Sequence, residues 1–490
     1  MRPKHYAPLS LVLVFVLQCI LAAQTTASLS ATFDRQPWLD DFHQLLSEMS
    51  SHYANLDWAV EERRMDLPHL REQTEDKLRA AKDDSEARRA LEQFLSSFGD
   101  GHLEIRWPKP QATNSTSDKH GSLCDTLGYS AKLSPGLDFS LLPSFTPVTG
   151  DDSNLFPGGL LRLRDGRVLG IIRIGLFSAT AYPEVCAQAI HQLGLAEGAA
   201  CNADCSNNIE VATANLLTAA VERQADALRK AGATAIAVDT THNGGGSDWM
   251  EAVPRELSSI PLHDSRFGFI RHEHWTKELR ERLQDVESDL QKGRAPKVVL
   301  EQAAFTLQKA IEESRKPCDR AGVWQTNKIA CSLLVSNLLY TSGNLPYAKP
   351  GSFSSLESKT SLFRPLGYQY TENTDRLPLY VFVDGHTWSA AEYFAVILQD
   401  NHAATIVGEL TGGAGCGYTN GGIPTKLKNS GAEVKMPDCV RFRPNGSNEV
   451  SGITPDVLVP WASRDTPYQH VRKLEVVLER LPAEKTKAAH

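Results

Sequence analysis

The 490-residue chain lacks any apolar run that reaches the roughly 20 residues a membrane-spanning helix needs. Its longest, residues 9–21, is about 13 residues, follows Arg2 and Lys4, and ends in Ala22, Ala23 and Ala27, which is the pattern of a secretory signal peptide over 1–27. Cleavage there leaves no stable membrane span, so the mature chain is expected to be exported, to a periplasm or to the extracellular space. An excess of positive charge is missing too. Lys and Arg number 51 against 59 Asp and Glu, a net charge of -8, so no broad field is present to neutralise phosphates and nucleic acid is not an expected partner. Internal repeats and low-complexity tracts are also lacking. What remains, 41% hydrophobic and 22% charged residues, is the composition of a soluble globular protein, and the length predicts two or three domains.

Of nine cysteines, Cys19 leaves with the leader, and the remaining eight form an even set in an exported chain, which points to disulfides. Three pairs are close in sequence: Cys201 with Cys205, Cys318 with Cys331, and Cys416 with Cys439. Cys124 and Cys186 are left for each other. The Cys201 to Cys205 spacing has no second thiolate or histidine pair to complete a zinc site, so no metal is expected there.

Residues 28–107 form a helical N-terminal region, rich in Leu, Ala, Glu and Arg, with no glycine from Trp38 to Phe98 and a stop at Gly99. A loop-rich connector with a β-hairpin is expected over 108–167; the hairpin pairs 160–164 with 168–174 across Asp165-Gly166. From 168 to 465 strands and helices alternate: a helix near 206–230, a strand at 235–238, another at 379–383, a helix from about 389 to 398, and a strand at 405–407. Short, uniformly apolar strands between helices imply parallel pairing with both faces covered. A charged, helix-periodic insertion interrupts this core at about 272–340, and a C-terminal helix and tail occupy 466–490.

Two glycine-rich breaks follow apolar strands. In the first, Asp239-Thr240-Thr241-His242-Asn243-Gly244-Gly245-Gly246, consecutive glycines can turn backbone N–H groups into a cleft to hold an oxyanion or a phosphate. No Gly-Lys-Ser/Thr follows, which disfavours a phosphate loop. The second break, Asp384-Gly385-His386-Thr387-Trp388-Ser389-Ala390-Ala391-Glu392, leads into a helix and sets Ser389 at its N-terminus. There the serine is either an ordinary N-cap or a nucleophile whose neighbour Ala390 offers an N–H to a developing negative charge.

Together with Gln399-Asp400, Ile406-Val407-Gly408-Glu409, Thr411-Gly412, Gly452-Ile453 and Pro455-Asp456, these breaks resemble the C-terminal processing (tail-specific) serine peptidases. The resemblance runs in order over most of 168–460. It implies an α/β fold with a ClpP/crotonase-like core, Ser389 as acyl nucleophile, and an oxyanion hole from Gly244, Gly245 and the Ala390 N–H. Many members pair the serine with a lysine 25 positions later; here that position is Ala414, and Lys426 and Lys428 are out of register. The tricorn-core branch instead takes a histidine from an N-terminal helical segment and a glutamate just before Gly-x-x-Pro-Asp. Phe98-Gly99-Asp100-Gly101-His102 and Glu449 resemble those two elements. A Ser/His/Glu set is chemically apt, since neutral imidazole can accept the serine proton and a carboxylate can orient and stabilise the imidazolium.

His242 and His386 compete with His102 by proximity to the serine, and Asp456 competes with Glu449. Glu392 is expected to pack or cap within its own helix, and Thr241 stands where relatives often carry arginine. Cys416 is expected in a disulfide rather than as a nucleophile. No Gly-Leu-Gly-Phe-type loop marks a peptide-binding PDZ module. The expected function is therefore an exported serine-type endopeptidase acting on protein or peptide substrates through an acyl-enzyme, without a cofactor. A non-catalytic small-molecule or peptide binding protein on the same fold is the alternative. An α/β-hydrolase esterase is disfavoured by the lack of Gly-x-Ser-x-Gly.

Overall fold

The computed structural model describes residues 33–109, 121–196, 199–372, 377–417 and 424–482. Residues 1–27, expected to be a signal peptide, lie outside them. Among the described residues, no helix is long and apolar enough to cross a membrane.

Four helices, Gln36–His52, Leu56–Glu61, Leu67–Ala80 and Asp84–Ser96, make up the N-terminal region. The last two are started by Asp66 and Asp83, whose carboxylates accept the N–H of His69 and Glu86. Phe42, Leu45, Phe94 and Phe98 share one buried cluster with Trp324 and with Val434 and Val450 from the distant C-terminal part of the core. That packing carries the end of the helical region, Gly99 to His102, into the core. Glu104–Arg106 then pairs antiparallel with Glu433–Lys435 and fixes it there.

The core is a seven-stranded sheet ordered, from one edge, Val457–Leu458, Thr405–Gly408, Leu379–Val383, Ala235–Asp239, Val168–Arg173, Gly158–Arg162 and Phe145–Pro147. The first five run parallel and the last two pairings are antiparallel. Leu379–Val383 and Ala235–Asp239 are buried along their full length, as apolar strands covered on both faces should be. The helices Ala203–Lys230 and Ala390–Asp400 pack on one face, and Val471, Leu474 and Leu478 of Pro467–Arg480 pack on the other. This is a ClpP/crotonase-like α/β core.

Two elements differ from the sequence expectation. The connector contributes the edge strand Phe145–Pro147, and its Leu137 N–H donates to Asp239. The insertion is helical over Glu273–Gln291 and Lys297–Ser314, but Leu334–Tyr340, expected to be helical, is a strand. It pairs with Arg266–Ile270, which in turn pairs with Cys439–Arg441 in a separate antiparallel sheet. Among the described residues four disulfides join Cys124 to Cys186, Cys201 to Cys205, Cys318 to Cys331 and Cys416 to Cys439, the three pairs close in sequence and the pair left over.

Candidate active site

Both glycine-rich breaks leave the sheet at the C-terminal ends of adjacent parallel strands, where α/β sheets place their ligands. Hydrogen bonds stitch the loops together: Trp388 N–H donates to the Asn243 carbonyl, and His242 N–H to the Asp384 side-chain Oδ1. Asp239 caps the turn of the first loop by accepting the N–H and hydroxyl of Thr241. Thr241 therefore closes its own loop.

Ser389 stands at φ 53°, in the left-handed region, at the entrance of Ala390–Asp400. A non-glycine residue held there stores about 1–3 kcal/mol of strain, a cost concentrated at functional turns. The strain is offset by Glu392, which is fully buried and accepts from Ser389 N–H, Gly413 N–H, Ala414 N–H and the Thr411 hydroxyl. Glu392 thus does more than cap its helix: it ties the serine turn to the 411–414 segment.

Gly245 lies directly against the serine. A Cβ on it would come within 2.7 Å of Ser389 Cβ and 2.9 Å of Ala390 N, at a backbone φ of +99°. Its own N–H donates to Asn243 Oδ1, so Gly245 contributes close approach, its donor being engaged inside the loop. Gly246 and Ala390 line the same cavity as Ser389 and His102, a space of about 490 Å³. Gly244, exposed, is not among the residues lining it.

His102 reaches this cavity from the helical region. Asp100 holds the turn, its Oδ1 accepting His102 N–H and its Oδ2 accepting Tyr53 and Asn55. Burial, reinforced by the Arg441 charge and opposed by Glu104, pushes the imidazole pKa down to about 4, so the ring is neutral at physiological pH. Gly101 explains the missing lysine in space: its N–H donates to the Gly413 carbonyl, and a Cβ on it would approach Ala414 Cβ to 2.7 Å. The histidine-bearing turn fills the room beside position 414, and small residues on both sides allow it.

The Glu449 carboxylate is buried and bonds through Oε2 to Arg441 Nε, and burial pushes its pKa up against the pull of that guanidinium. Its Oε1 and His102 Nδ1 are both buried without a hydrogen-bond partner. Arg441 also donates to the Gly415 carbonyl at 3.1 Å and stacks over the Tyr393 ring. Sequence reasoning missed this residue, and the only signal for it was its place two positions after the bridged Cys439. Asp456 accepts from Ile406 N–H and Gln399, away from the cavity, as a strand-end brace. His242 and His386 stack on each other beside Asp384 and do not line the cavity.

An α/β core of this type, with a strained serine at a helix N-terminus lining one cavity with a neutral imidazole, points to the class. The chain belongs to peptidase family S41, whose profile matches residues 208–459; it is a serine peptidase, a hydrolase. No curated protein matches it in sequence. Among solved structures it is similar to mature CPAF complexed with lactacystin (15% identity, TM-score 0.55, 91% of this chain and 98% of that one). A serine-to-alanine mutant of CPAF gives 15% identity and a TM-score of 0.56, over 91% and 97%. At this identity the likeness is one of fold.

Proposed function

We propose that the chain is an exported serine endopeptidase in which Ser389 attacks a peptide carbonyl, His102 takes the serine proton and passes it to the leaving amine, and water then hydrolyses the acyl-enzyme. The observation that carries this reading is the shared cavity. Ser389 at positive φ and the neutral His102 imidazole line one space. The oxyanion donors in this reading are Ala390 N–H, at the positive end of its helix, and Gly244 N–H, since Gly245 N–H is bound to Asn243 inside the loop. Glu449 is assigned the third role in this reading. Its charge balances Arg441, which otherwise opposes protonation of His102, and its second oxygen is an acceptor for the imidazolium. Export is supported by the leader-like first residues and the four disulfides.

A fluorophosphonate probe tests the nucleophile. We expect one adduct on Ser389, absent from Ser389→Ala and greatly slowed in His102→Ala. Folded wild-type protein that takes no label would instead support a binding protein on the peptidase fold.

A further inference from the structure

The loops that carry Ser389 and Gly245 hold a second cluster that the peptide-bond chemistry leaves unused. His242, Asp384 and His386 each offer one donor atom, and these three atoms all lie within 4.8 Å of one another. His242 Nδ1 is 2.7 Å from Asp384 Oδ2. The two imidazoles lie parallel, 6° apart in plane with centroids 4.9 Å apart. Asp384 is buried and fixed: its Oδ1 accepts the N–H groups of both histidines, which leaves Oδ2 facing the imidazole side. Both rings are exposed, so they can turn without repacking the core.

We propose that His242, Asp384 and His386 bind a divalent transition-metal ion of the zinc class. Two imidazoles and one carboxylate are a donor set suited to zinc and its neighbours, whereas calcium and magnesium seek oxygen-rich cages. Donors bound at about 2.0–2.2 Å sit roughly 3.5 Å apart, so a modest rotation of the exposed rings closes the site. Three protein donors leave a fourth position for water or an incoming ligand. The ion ties the glycine-rich loop to the serine loop without entering the cavity. It therefore acts on the spacing of Gly245 against Ser389, and its binding does not depend on the peptidase reading.

Titration of the full mature chain with Zn²⁺ by calorimetry, and with Co²⁺ followed by its visible absorption, tests the site. One ion per chain is expected, with affinity at least tenfold weaker in His242→Asn combined with His386→Gln. Asparagine is chosen because it tolerates the left-handed backbone at His242. His272→Asn, in the separate histidine group at 272–274, should leave the affinity unchanged. If the double variant melts early in chelator, His386→Gln alone gives the same reading, because that side chain is exposed. Wild-type protein that takes up neither ion, or variants that keep wild-type affinity, would overturn the proposal.

Discussion

The strained turn at Ser389 needs a neighbour with no side chain, and Gly245 is that neighbour. Gly245→Ala forces a Cβ to within 2.7 Å of Ser389 Cβ at a φ of +99°, and an ångström of displacement at a reacting group costs about 10²-fold in rate. We expect kcat to fall by about that factor on a peptide substrate, with a lower melting temperature; unchanged kcat would separate the glycine loop from the chemistry. His102 carries a second prediction. A base must be neutral to accept a proton, and this imidazole is held down to about 4 by burial and then by Arg441. The acid limb of kcat/KM should therefore lie near pH 4 rather than near the ordinary histidine value of about 6.5. A pH profile of the free enzyme checks it, and a limb near 6.5 would remove His102 from the role. Ser389 and His102 were legible because each sits in a short local motif. Arg441 was not, because its place depends on an antiparallel pairing between Cys439–Arg441 and Arg266–Ile270, segments far apart in the chain.

At the level of elements, the turn from Gly99 to His102 and the 411–414 segment form one fitted contact. Ala414→Lys puts a long side chain where Gly101 already packs, and Ala414 N–H is bound to Glu392. Overpacking of this kind costs about 1–3 kcal/mol, so the variant should melt lower and should lose activity instead of gaining a Ser-Lys dyad. Retained stability with activity in the absence of His102 would contradict this account. The parallel strands were legible because each is apolar throughout and bounded by turn residues. Phe145–Pro147 and Leu334–Tyr340 were not: each takes its conformation from a partner strand, and a short, partly buried strand among small polar and turn residues carries no clear two-residue period. The helix Ala203–Lys230 was legible near 206–230, and it buries Ile209, Thr213, Leu217, Ala220 and Val221.

Across the whole molecule, the helical region, the core and the insertion meet at points that titrate. His272 starts the helix Glu273–Gln291, and its ring packs edge-on against His52 at 4.7 Å between centroids. Burial first, then the neighbouring His52 and His274, lower its pKa to about 4. Between about pH 6.5 and 4 the unfolded chain takes up the proton that the folded His272 refuses, so stability that is complete above pH 6.5 declines as the pH falls through this window. His272 is only half-buried, so after discounting for solvent screening the loss is on the order of 1 kcal/mol. His102, depressed for similar reasons, adds a decline of the same sign. Denaturant unfolding of wild-type and His272→Asn proteins between pH 7 and pH 4 measures the effect. Asparagine keeps an N-cap side chain at the helix start, so the variant should unfold with a shallower pH dependence; equal slopes would show that the contact between the helical region and the insertion is indifferent to this proton.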